Sequence, residues 1–418
     1  KVRLEIAMTP FTIDNLPYGV ISTEDNPTKR CAVAFEHSAI DLDLLHRHDF
    51  FASISALHAS IFANDNWNAF AVLPLDVRAS FRARIKSGIQ DNSVNEALIP
   101  LSKVQYHLPM ATRNFSDFYC SYEHAKNCSE IMKFQNISPN WFVIPSVYNG
   151  RTSSLVVSGT PVIRPYGMYP DPNDPKTISF SLECKMDFEL EMGVWLSKPV
   201  PRGRRLDIAH AEEHIFGLTL LNDWSSRQIQ LFEMPPLGPF HSKGSATTVS
   251  PWVVPIEALE KAKGERKVKQ EPPPAPHLTP SGELALTFNI DLSVKLIRDG
   301  KSYTLCESNL DELYWTPIQQ ITHLGSAGEG LSHGDVFGTG TISSNRTNSG
   351  GEKIGLGCLF ERSLPDTKLE SIPLDLIDTF LKDGDEVVME GWCKDKTTGN
   401  VILGFGECRG KILPAVKD

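Results

Sequence analysis

The stretch from residue 177 to residue 196, TISFSLECKMDFELEMGVWL, constrains the fold more than any other part of the chain. Every even-numbered position in it is apolar, and most odd-numbered positions are polar or charged. A repeat of two residues is typical of a β-strand, so the pattern predicts one long strand. Its odd-numbered face then carries Glu189 and Glu191, with Asp187 beside them.

The carboxylates of Glu189 and Glu191 repel each other on one face of a sheet unless water or a cation screens their charges. One interpretation is bulk water, because an antiparallel sheet often has one solvated face. The other is a hard metal ion held by oxygen ligands, and some of those ligands must come from other parts of the chain. The stretch by itself leaves both interpretations open.

The composition is that of an ordinary soluble protein, with 41% hydrophobic and 22% charged residues, which excludes disordered and fibrous classes. A length of 418 residues favours two or three domains. The net charge of -10 disfavours nucleic acid as a partner, although a few buried basic residues are enough to bind a small anionic substrate. The chain shows no apolar run of membrane-spanning length, no signal peptide and no CxxC among its eight cysteines, so we expect a cytoplasmic protein with free thiols.

The pattern of the chain changes near residue 110. Residues 1–109 mix short strand-like and helix-like segments, as in a small α+β domain. Residues 110–418 contain alternating strands separated by Gly and Pro, with short helices, and two late strands joined by KDKTTGN predict a hairpin. The predicted fold class is therefore α+β and mostly β. Residues 1–7 precede Met8, and we expect them to be a remnant of an expression tag.

Asp223 lies where an apolar strand is followed by a predicted helix that opens at residue 224 or 225. Asp223, Arg227 and Gln230 are spaced i, i+4, i+7, so on a helix they would share one face and converge on a pocket. The alternative is an Asp N-cap followed by solvated Arg and Gln side chains. The position favours a site, because polar groups that cluster where a strand meets a helix often belong to one.

Two further segments carry candidate polar groups. In NFSDFYCSYEHAKN, Asp117 and Tyr119 precede His124, which is predicted to lie in a short helix. In PLGPFHSKGSATTVSP, small residues and prolines expose backbone carbonyls that could join Thr247 as oxygen ligands, with Lys243 as a cation. A plain surface loop is the alternative for the second segment.

The segment HAEEH, from His210 to His214, matches the HxxEH pattern of zinc peptidases. That site needs a third ligand from a second long helix, whereas the residues that follow are mostly strand and loop. We therefore interpret His210 and His214 as ordinary helix residues.

The motifs of the chain, taken in order, resemble those of the fumarylacetoacetases. The matching segments are NLPYGV at 15–20, SDFYCSYEHA at 116–125, VYNGRTSSLVVSGTP at 147–161, MDFELEM at 186–192, HIFGLTLLNDWSSRQIQ at 214–230, PLGPF at 236–240, TVSPWVVP at 248–255 and GFGECRGKILPA at 404–415. This family hydrolyses 4-fumarylacetoacetate, a diketo acid, to fumarate and acetoacetate at the end of tyrosine and phenylalanine catabolism. The resemblance implies an SH3-like N-terminal domain at 1–109, a catalytic domain at 110–418 with a mixed β-roll or β-sandwich fold, and a homodimer.

The resemblance also implies which residues hold metal. A first divalent cation, Mg²⁺ or Ca²⁺, would be held by four carboxylates, those of Asp117, Glu189, Glu191 and Asp223. A second Mg²⁺ would lie near Asp223, Lys243 and Thr247. At the lysine the ligand would be the backbone oxygen, since an ammonium group cannot coordinate a metal.

The catalytic residues implied by the resemblance fall into three groups. His124 would deprotonate a water molecule, with Glu361 oriented behind it. An oxyanion would be stabilised by Arg227, Gln230 and Lys243, while the metal chelates the diketone and takes up the charge of the enolate. The substrate would be oriented by Tyr119, Tyr148 and Thr341, together with Gln230.

Two substrate-binding positions depart from the family pattern. Lys133 stands near the place of a family arginine, and Met234 replaces a tyrosine and removes its hydroxyl group. The rival function is that of another enzyme of the superfamily, such as an acylpyruvate hydrolase or an oxaloacetate decarboxylase, and the NLPYGV segment counts against it. A catalytically silent scaffold is a second rival, and the presence of His124, Lys243 and Arg227 together counts against that one.

Overall fold

The computed structural model describes residues 11–58, 60–282, 284, 286–364 and 380–416. The expectation that residues 1–7 are a remnant lies outside these described residues. Among the helices of the described ranges, none is both long enough and apolar enough to cross a membrane.

The N-terminal part of the chain is a small sheet with helices packed on it. Its strands are β1 (Tyr18–Thr23), β2 (Arg30–Phe35), β3 (Ser38–Asp41), β4 (Leu98–Pro100) and β5 (Val104–His107), and its helices are α1 (Leu42–Arg47), α2 (Asn68–Ala71) and α3 (Leu75–Gln90). The strands lie in the order β4-β3-β2-β1-β5, and all neighbours are antiparallel. Helix α1 begins after Asp41, whose carboxylate accepts a hydrogen bond from the N–H of Leu44. Phe81 and Ile85, four residues apart on α3, share the buried face of that helix.

Short strands and a few short helices make up the rest of the chain. The strands are β6 (Phe115–Phe118), β7 (Val147–Asn149), β8 (Leu155–Val157), β9 (Val162–Ile163), β10 (Tyr166–Pro170), β11 (Ile178–Leu182), β12 (Met186–Asp187), β13 (Leu190–Leu196), β14 (Ile215–Asp223), β15 (Ser225–Ser226), β16 (Thr247–Val249), β17 (Val254–Pro255), β18 (Lys263–Gly264), β19 (Thr287–Phe288), β20 (Asp291–Arg298), β21 (Lys301–Asn309), β22 (Val336–Gly338), β23 (Glu386–Lys394) and β24 (Val401–Leu413). The α-helices are α4 (Tyr122–Ile131), α5 (Arg227–Glu233), α6 (Ile256–Leu259) and α7 (Pro317–Leu324). The 3₁₀ helices are Asn95–Ala97, Leu101–Lys103, Pro139–Phe142, Thr152–Ser154, Ile208–His214, His241–Lys243, Glu260–Ala262, Pro276–Leu278, Leu310–Glu312 and Phe360–Ser363.

Two larger sheets organise this part of the chain. The central sheet has the order β7-β6-β22-β13-β14-β16-β8, with β17 also paired to β14, and is mixed because β22 runs parallel to β6 and β16 parallel to β8. The outer sheet has the order β21-β20-β23-β24-β9. Strands β23 and β24 pair antiparallel around the segment that predicted a hairpin. Smaller pairs are β10 with β11, β12 with β15, and β18 with β19.

The central sheet is covered on both faces. Leu190 and Met192 belong to a hydrophobic cluster shared with the outer sheet, whereas Trp195 on the same strand belongs to a cluster shared with the N-terminal part. Tyr18 in β1 joins the two parts directly, because its backbone N–H and C=O both bond to Val253, at 2.8 and 2.7 Å. The architecture confirms the predicted fold class, α+β and mostly β.

The stretch 177–196 is not one strand, which corrects the prediction made from its alternation. It forms β11, β12 and β13, and two side-chain carboxylates mark the breaks. Glu183 accepts the N–H of Lys185 at 2.6 Å, and Asp187 accepts the N–H of Phe188 at 2.8 Å. Such local bonds compete with the backbone pairing of a continuous strand. Because residues 186–196 are all buried, the interpretation that places the carboxylates in bulk water is also wrong.

Candidate active site

A cavity of about 420 Å³ lies where helices α4 and α5 meet the edge of the central sheet. Ten of the predicted site residues line it: Asp117, Tyr119, His124, Tyr148, Glu189, Arg227, Gln230, Met234, Lys243 and Thr341. Four others lie behind them: Asp223 contacts Lys243, Thr247 contacts Asp223, Glu361 contacts His124, and Glu191 lies near Asp117. Segments far apart in the sequence therefore meet at one site.

His124 and Glu361 form a buried pair. The N-cap of α4 is Ser121, whose Oγ accepts the N–H of His124 and fixes the start of the helix. The Nδ1 atom of His124 lies 3.0 Å from Oε2 of Glu361. The carboxylate also accepts hydrogen bonds from Asn127 Nδ2 at 2.7 Å and from Ser343 Oγ at 2.6 Å. When Nδ1–H donates to Glu361, the other ring nitrogen of His124 is left as the base.

The electrostatics of this pair favour the proton on the histidine. Burial by itself would lower the pKa of His124, but the neighbouring Cys128 and the Glu361 carboxylate outweigh it and hold the pKa well above the usual 6.5. Burial would raise the pKa of Glu361, but His124, Ser343 and Asn127 hold it below its usual value. The pair therefore stays ionised more readily than isolated groups would.

Three carboxylates from strands of the central sheet converge behind the cavity. Asp117 in β6, Glu191 in β13 and Asp223 at the end of β14 each present an oxygen within 4.8 Å of the other two. Oδ1 of Asp117 and Oε1 of Glu191 are buried and have no hydrogen-bond partner in the described part of the chain. A Cβ atom at Gly338 would come within 2.6 Å of both side chains, so glycine keeps the space between them clear.

The carboxyl groups of this cluster are close together and buried. Burial and the neighbouring carboxylates of Asp117 and Asp223 raise the pKa of Glu191 well above its usual value. Burial also raises the pKa of Asp223, although Lys243 opposes the shift. Oxygen ligands without nitrogen or sulfur are the set that Mg²⁺ and Ca²⁺ prefer. The cluster therefore fits a hard divalent cation.

Glu189, the fourth predicted carboxylate, faces two cations. Its Oε1 lies 2.8 Å from Nη1 of Arg227, and its Oε2 lies 2.5 Å from Nζ of Lys243. The same ammonium lies 2.5 Å from Oδ2 of Asp223. Burial would raise the pKa of Glu189, but Lys243 and Arg227 lower it to about 2. The ammonium group of Lys243 therefore lies in the site, where the resemblance implied that it stabilises an oxyanion.

Arg227 and Gln230 meet as their spacing predicted, but Asp223 does not share their helix. Helix α5 begins at Arg227, and Asp223 is the last residue of strand β14, so the expected helix start was too early. Nη1 of Arg227 donates to Oε1 of Gln230 at 2.8 Å, and Nε donates to Asp187 at 2.8 Å. Nη2 of Arg227 is buried and has no partner among the described residues. This nitrogen of the guanidinium group can therefore donate a hydrogen bond to a molecule bound in the cavity.

Hydroxyl groups surround the carboxylate cluster. Tyr148 donates from its Oη to Asp117 at 2.7 Å, with Asp223 at 3.2 Å. Thr247 pairs with Asp223 across β14 and β16, and its Oγ1 lies 3.5 Å from Oδ1 of that aspartate. Thr341 lines the cavity from the segment after β22. Tyr148 both contacts the cluster and lines the cavity, whereas Thr247 contacts the cluster and Thr341 lines the cavity.

The two positions that depart from the family pattern differ in their location relative to the cavity. Met234 lines the cavity. Lys133 is exposed beyond the end of α4, has a positive φ of 57°, and is not among the residues that line the cavity, so this geometry does not support its predicted role in substrate binding. The neighbouring Met132 lines the cavity instead.

Sequence reasoning missed several residues that support the site. Asn127 and Cys128 follow His124 by one helical turn, a spacing that could have pointed to them. Ser343 carried no such signal, because its partner Glu361 is distant in sequence, and the pairing of Asp187 with Arg227 was not predicted for the same reason. The HAEEH histidines have ordinary roles: His210 bonds to Glu213 at 2.9 Å and His214 to the carbonyl of Lys198 at 2.7 Å.

Comparisons with known proteins cover nearly the whole chain. Residues 14–109 match the family model described as fumarylacetoacetase N-terminal, and residues 113–413 match that described as fumarylacetoacetate (FAA) hydrolase C-terminal. The chain is 39% identical over 422 residues to fumarylacetoacetase from Arabidopsis thaliana, covering 97% of this chain and 96% of that protein. It is 38% identical over 427 residues to fumarylacetoacetase from Homo sapiens, covering 97% of each. A solved fumarylacetoacetate hydrolase from the psychrophilic Exiguobacterium antarcticum shares the fold, with a TM-score of 0.55 at 14% identity over 96% of this chain and 99% of that chain.

Proposed function

The chain belongs to the fumarylacetoacetase family, and we infer that it hydrolyses a carbon–carbon bond of 4-fumarylacetoacetate to give fumarate and acetoacetate. This reaction is the last step of tyrosine and phenylalanine catabolism. The observation that carries the inference is the similarity to curated fumarylacetoacetases over 97% of the chain. We assign residues 1–109 to an N-terminal domain and residues 110–418 to the catalytic domain, a division that the two matched family models support.

We propose that His124 is the general base. Cleavage of a bond between two carbonyl groups needs a hydroxide delivered to one of them. The free ring nitrogen of His124 takes a proton from water in the cavity, while Glu361 holds Nδ1–H and stabilises the imidazolium that forms. Asn127 and Ser343 keep the carboxylate of Glu361 in place.

Arg227, Gln230 and Lys243 are the proposed donors to the oxyanion. Attack of hydroxide on the carbonyl places a negative charge on its oxygen, which preorganised donors stabilise, each by a factor of about 10² or more in rate. The unpartnered Nη2 of Arg227 supports this role, because a buried N–H without an acceptor is costly and a bound oxyanion would satisfy it.

We propose that Asp117, Glu191 and Asp223, with Glu189 beside them, hold a divalent cation, Mg²⁺ or Ca²⁺. The support is the pair of unpartnered buried oxygens and the gap that Gly338 leaves open. When bound, such a cation supplies Lewis-acid stabilisation of the negative charge that develops on the oxygens of the diketone. A second Mg²⁺ near Asp223, Lys243 and Thr247 is part of the same proposal.

We propose that Tyr119, Tyr148 and Thr341 orient the substrate. All three line the cavity, and Tyr119 also packs edge-on against His124, with ring centroids 5.2 Å apart. Met234 supplies an apolar contact there. We expect Lys133 to take no part, because it is exposed outside the cavity.

We propose that the protein is a homodimer. Exposed apolar side chains, Tyr166, Met168, Ile178 and Phe180 on the β10 and β11 hairpin and Leu231 and Phe232 on α5, lie on adjoining elements, and Gly167 of β10 contacts Ile229 of α5. Apolar surface of this kind is usually covered by a partner. Sedimentation should give twice the chain mass of 46.4 kDa, and a fully active monomer at all concentrations would contradict the proposal.

We also propose a cytoplasmic location. All eight cysteines are free thiols and seven of them are buried, which suits a reducing compartment. Localisation of the tagged full-length protein by microscopy, compared with compartment markers, tests this directly.

The test of the activity is a direct assay. Purified protein is mixed with fumarylacetoacetate and either Mg²⁺ or Ca²⁺, and the loss of the substrate's ultraviolet absorbance is followed. Acylpyruvate and oxaloacetate are supplied in parallel as substrates of the rival superfamily enzymes. Turnover of either of these without turnover of fumarylacetoacetate would overturn the proposed function.

A further inference from the structure

Two thiols lie beside the His124 and Glu361 pair, and the proposed reaction uses neither. Cys128 follows His124 by one turn of α4, and its Sγ lies 3.7 Å from Nε2 of that histidine. Cys358 precedes the 3₁₀ helix that carries Glu361, and its Sγ lies 3.4 Å from Oε2 of the glutamate. Both cysteines are buried free thiols.

These four side chains offer a set of metal ligands unlike that of the carboxylate cluster. One ligand atom each from His124, Cys358 and Glu361 lie within 4.8 Å of one another, and the second thiol adjoins the imidazole. Imidazole, thiolate and carboxylate together are the ligands of zinc and of softer ions, whereas Mg²⁺ and Ca²⁺ take oxygen.

Three of these side chains, those of His124, Cys358 and Glu361, have a spacing close to that of a tetrahedral site, and Cys128 adjoins them beside the imidazole. Zinc bonds of about 2.0 to 2.3 Å place neighbouring ligand atoms about 3.3 to 3.8 Å apart. The contacts here are 3.0 Å from His124 Nδ1 to Glu361 Oε2, 3.4 Å from Cys358 Sγ to the same oxygen, and 3.8 Å from Cys128 Sγ to Nδ1. Small shifts would bring the ligand atoms of His124, Cys358 and Glu361 to this spacing, and Cys128 would complete the set by moving toward them from beside the imidazole.

We propose that His124, Glu361, Cys128 and Cys358 form a binding site for one thiophilic divalent cation, such as Zn²⁺ or Cd²⁺, and that its occupation inhibits the enzyme. On binding, the two thiols would release their protons to solvent as thiolates, and the Nδ1 proton of His124 would move to Nε2. Inhibition follows because both ring nitrogens are then occupied, Nδ1 by the metal and Nε2 by a proton, so neither can take a proton from water. The ion can arrive through the cavity, which Cys128 and His124 both line.

Inhibition rests on the proposed function, but binding of the ion does not, so the first experiment measures binding alone. Metal-stripped protein is titrated with Cd²⁺ in the presence of excess Mg²⁺, and the ultraviolet absorption of the cadmium–thiolate bond is recorded. We expect one tightly bound Cd²⁺ per chain. In the double variant Cys128→Val, Cys358→Ser the affinity should fall by at least about tenfold, the scale on which even indirect partners change the affinity of a zinc site.

The matched control is Cys184→Ser, because Cys184 is exposed and free. This variant should bind Cd²⁺ as the unaltered protein does. Circular dichroism checks the fold of each variant, and the two single substitutions give the same comparison if the double variant does not fold. Equal cadmium–thiolate absorption in the unaltered protein and the folded double variant would overturn the proposal.

The second experiment follows fumarylacetoacetate hydrolysis at saturating Mg²⁺ with increasing Cd²⁺. We expect inhibition that more Mg²⁺ does not relieve, and a concentration for half-inhibition at least about tenfold higher in the cysteine variants. Relief by Mg²⁺ would place the inhibiting ion in the carboxylate cluster and overturn the inhibitory role. Absence of turnover with any metal, alongside intact Cd²⁺ binding, would instead count against the proposed function.

Discussion

The imidazole of His124 donates to the carboxylate of Glu361 across 3.0 Å, so a helix near the start of the catalytic domain and a 3₁₀ helix near its end share one hydrogen bond. This bond orients the ring, and it places the base at the wall of the cavity. The Asn127 amide and the Ser343 hydroxyl hold the carboxylate from two other directions. The pair is the part of the site whose geometry gives the sharpest predictions.

Replacing the base should separate catalysis from metal binding. In His124→Asn we expect kcat to fall by about 10² to 10⁴, the usual range for loss of a general base. The affinity for Mg²⁺, measured by calorimetry, should stay nearly intact because the carboxylate cluster does not include His124. His210→Asn, at an exposed histidine, is the control and should retain full activity. Parallel loss of metal affinity and activity in His124→Asn would contradict this assignment.

The pH dependence of activity should depend on the ionisation of the His124 and Glu361 pair. A general base must be unprotonated, so activity should rise with pH through the pKa of His124, which is raised above 6.5. Glu361→Gln removes a negative charge that contributes to this shift, so the acidic limb of kcat should move to lower pH while kcat itself falls. Rates measured from pH 5 to pH 9 give the acidic limb of the unaltered enzyme and that of Glu361→Gln. An acidic limb that stays in place in Glu361→Gln would show that another group controls it.

The carboxylate cluster should need its cation. EDTA should abolish turnover, and Mg²⁺ or Ca²⁺ should restore it. Glu191→Gln should weaken binding of the cation, because a charged oxygen is lost from a hard-cation site. In metal-free protein the same substitution should raise the melting temperature, since it removes a carboxylate whose pKa is raised by burial and by the neighbouring Asp117 and Asp223. Glu307→Gln, at an exposed glutamate, is the control for both measurements. Full activity without metal would exclude this role.

The gap at Gly338 gives a steric test of the same site. A methyl group there would lie 2.6 Å from Asp117 Oδ1 and from Glu191 Oε2, so Gly338→Ala must displace one of these ligands. We expect a loss of about tenfold or more in Mg²⁺ affinity. At Gly264 a Cβ atom would meet its nearest neighbour at 3.5 Å, so Gly264→Ala is the matched control. Unchanged affinity in Gly338→Ala would place the cation elsewhere.

The sequence predicted the fold class and the last hairpin because both depend on local periodicity. It failed on the stretch 177–196, where Glu183 and Asp187 bond to nearby backbone and turn the chain, an effect that apolar alternation does not register. Periodicity also did not predict the two cationic partners of Glu189, which come from α5 and from the 3₁₀ helix His241–Lys243. Periodicity locates residues along an element, but it does not say which distant side chain balances a charge.

None of the described residues of the N-terminal domain lines the cavity, yet this domain covers one face of the sheet that carries the carboxylate cluster. Trp195 and Leu221 would meet water without it, and the bonds between Tyr18 and Val253 would be lost. An interface built like a core couples the unfolding of the two parts. Calorimetry should therefore show a single cooperative transition, and two separate transitions would contradict this. Destabilising substitutions in the N-terminal domain should then lower total activity by lowering the amount of folded enzyme. The kcat of the molecules that remain folded should not change.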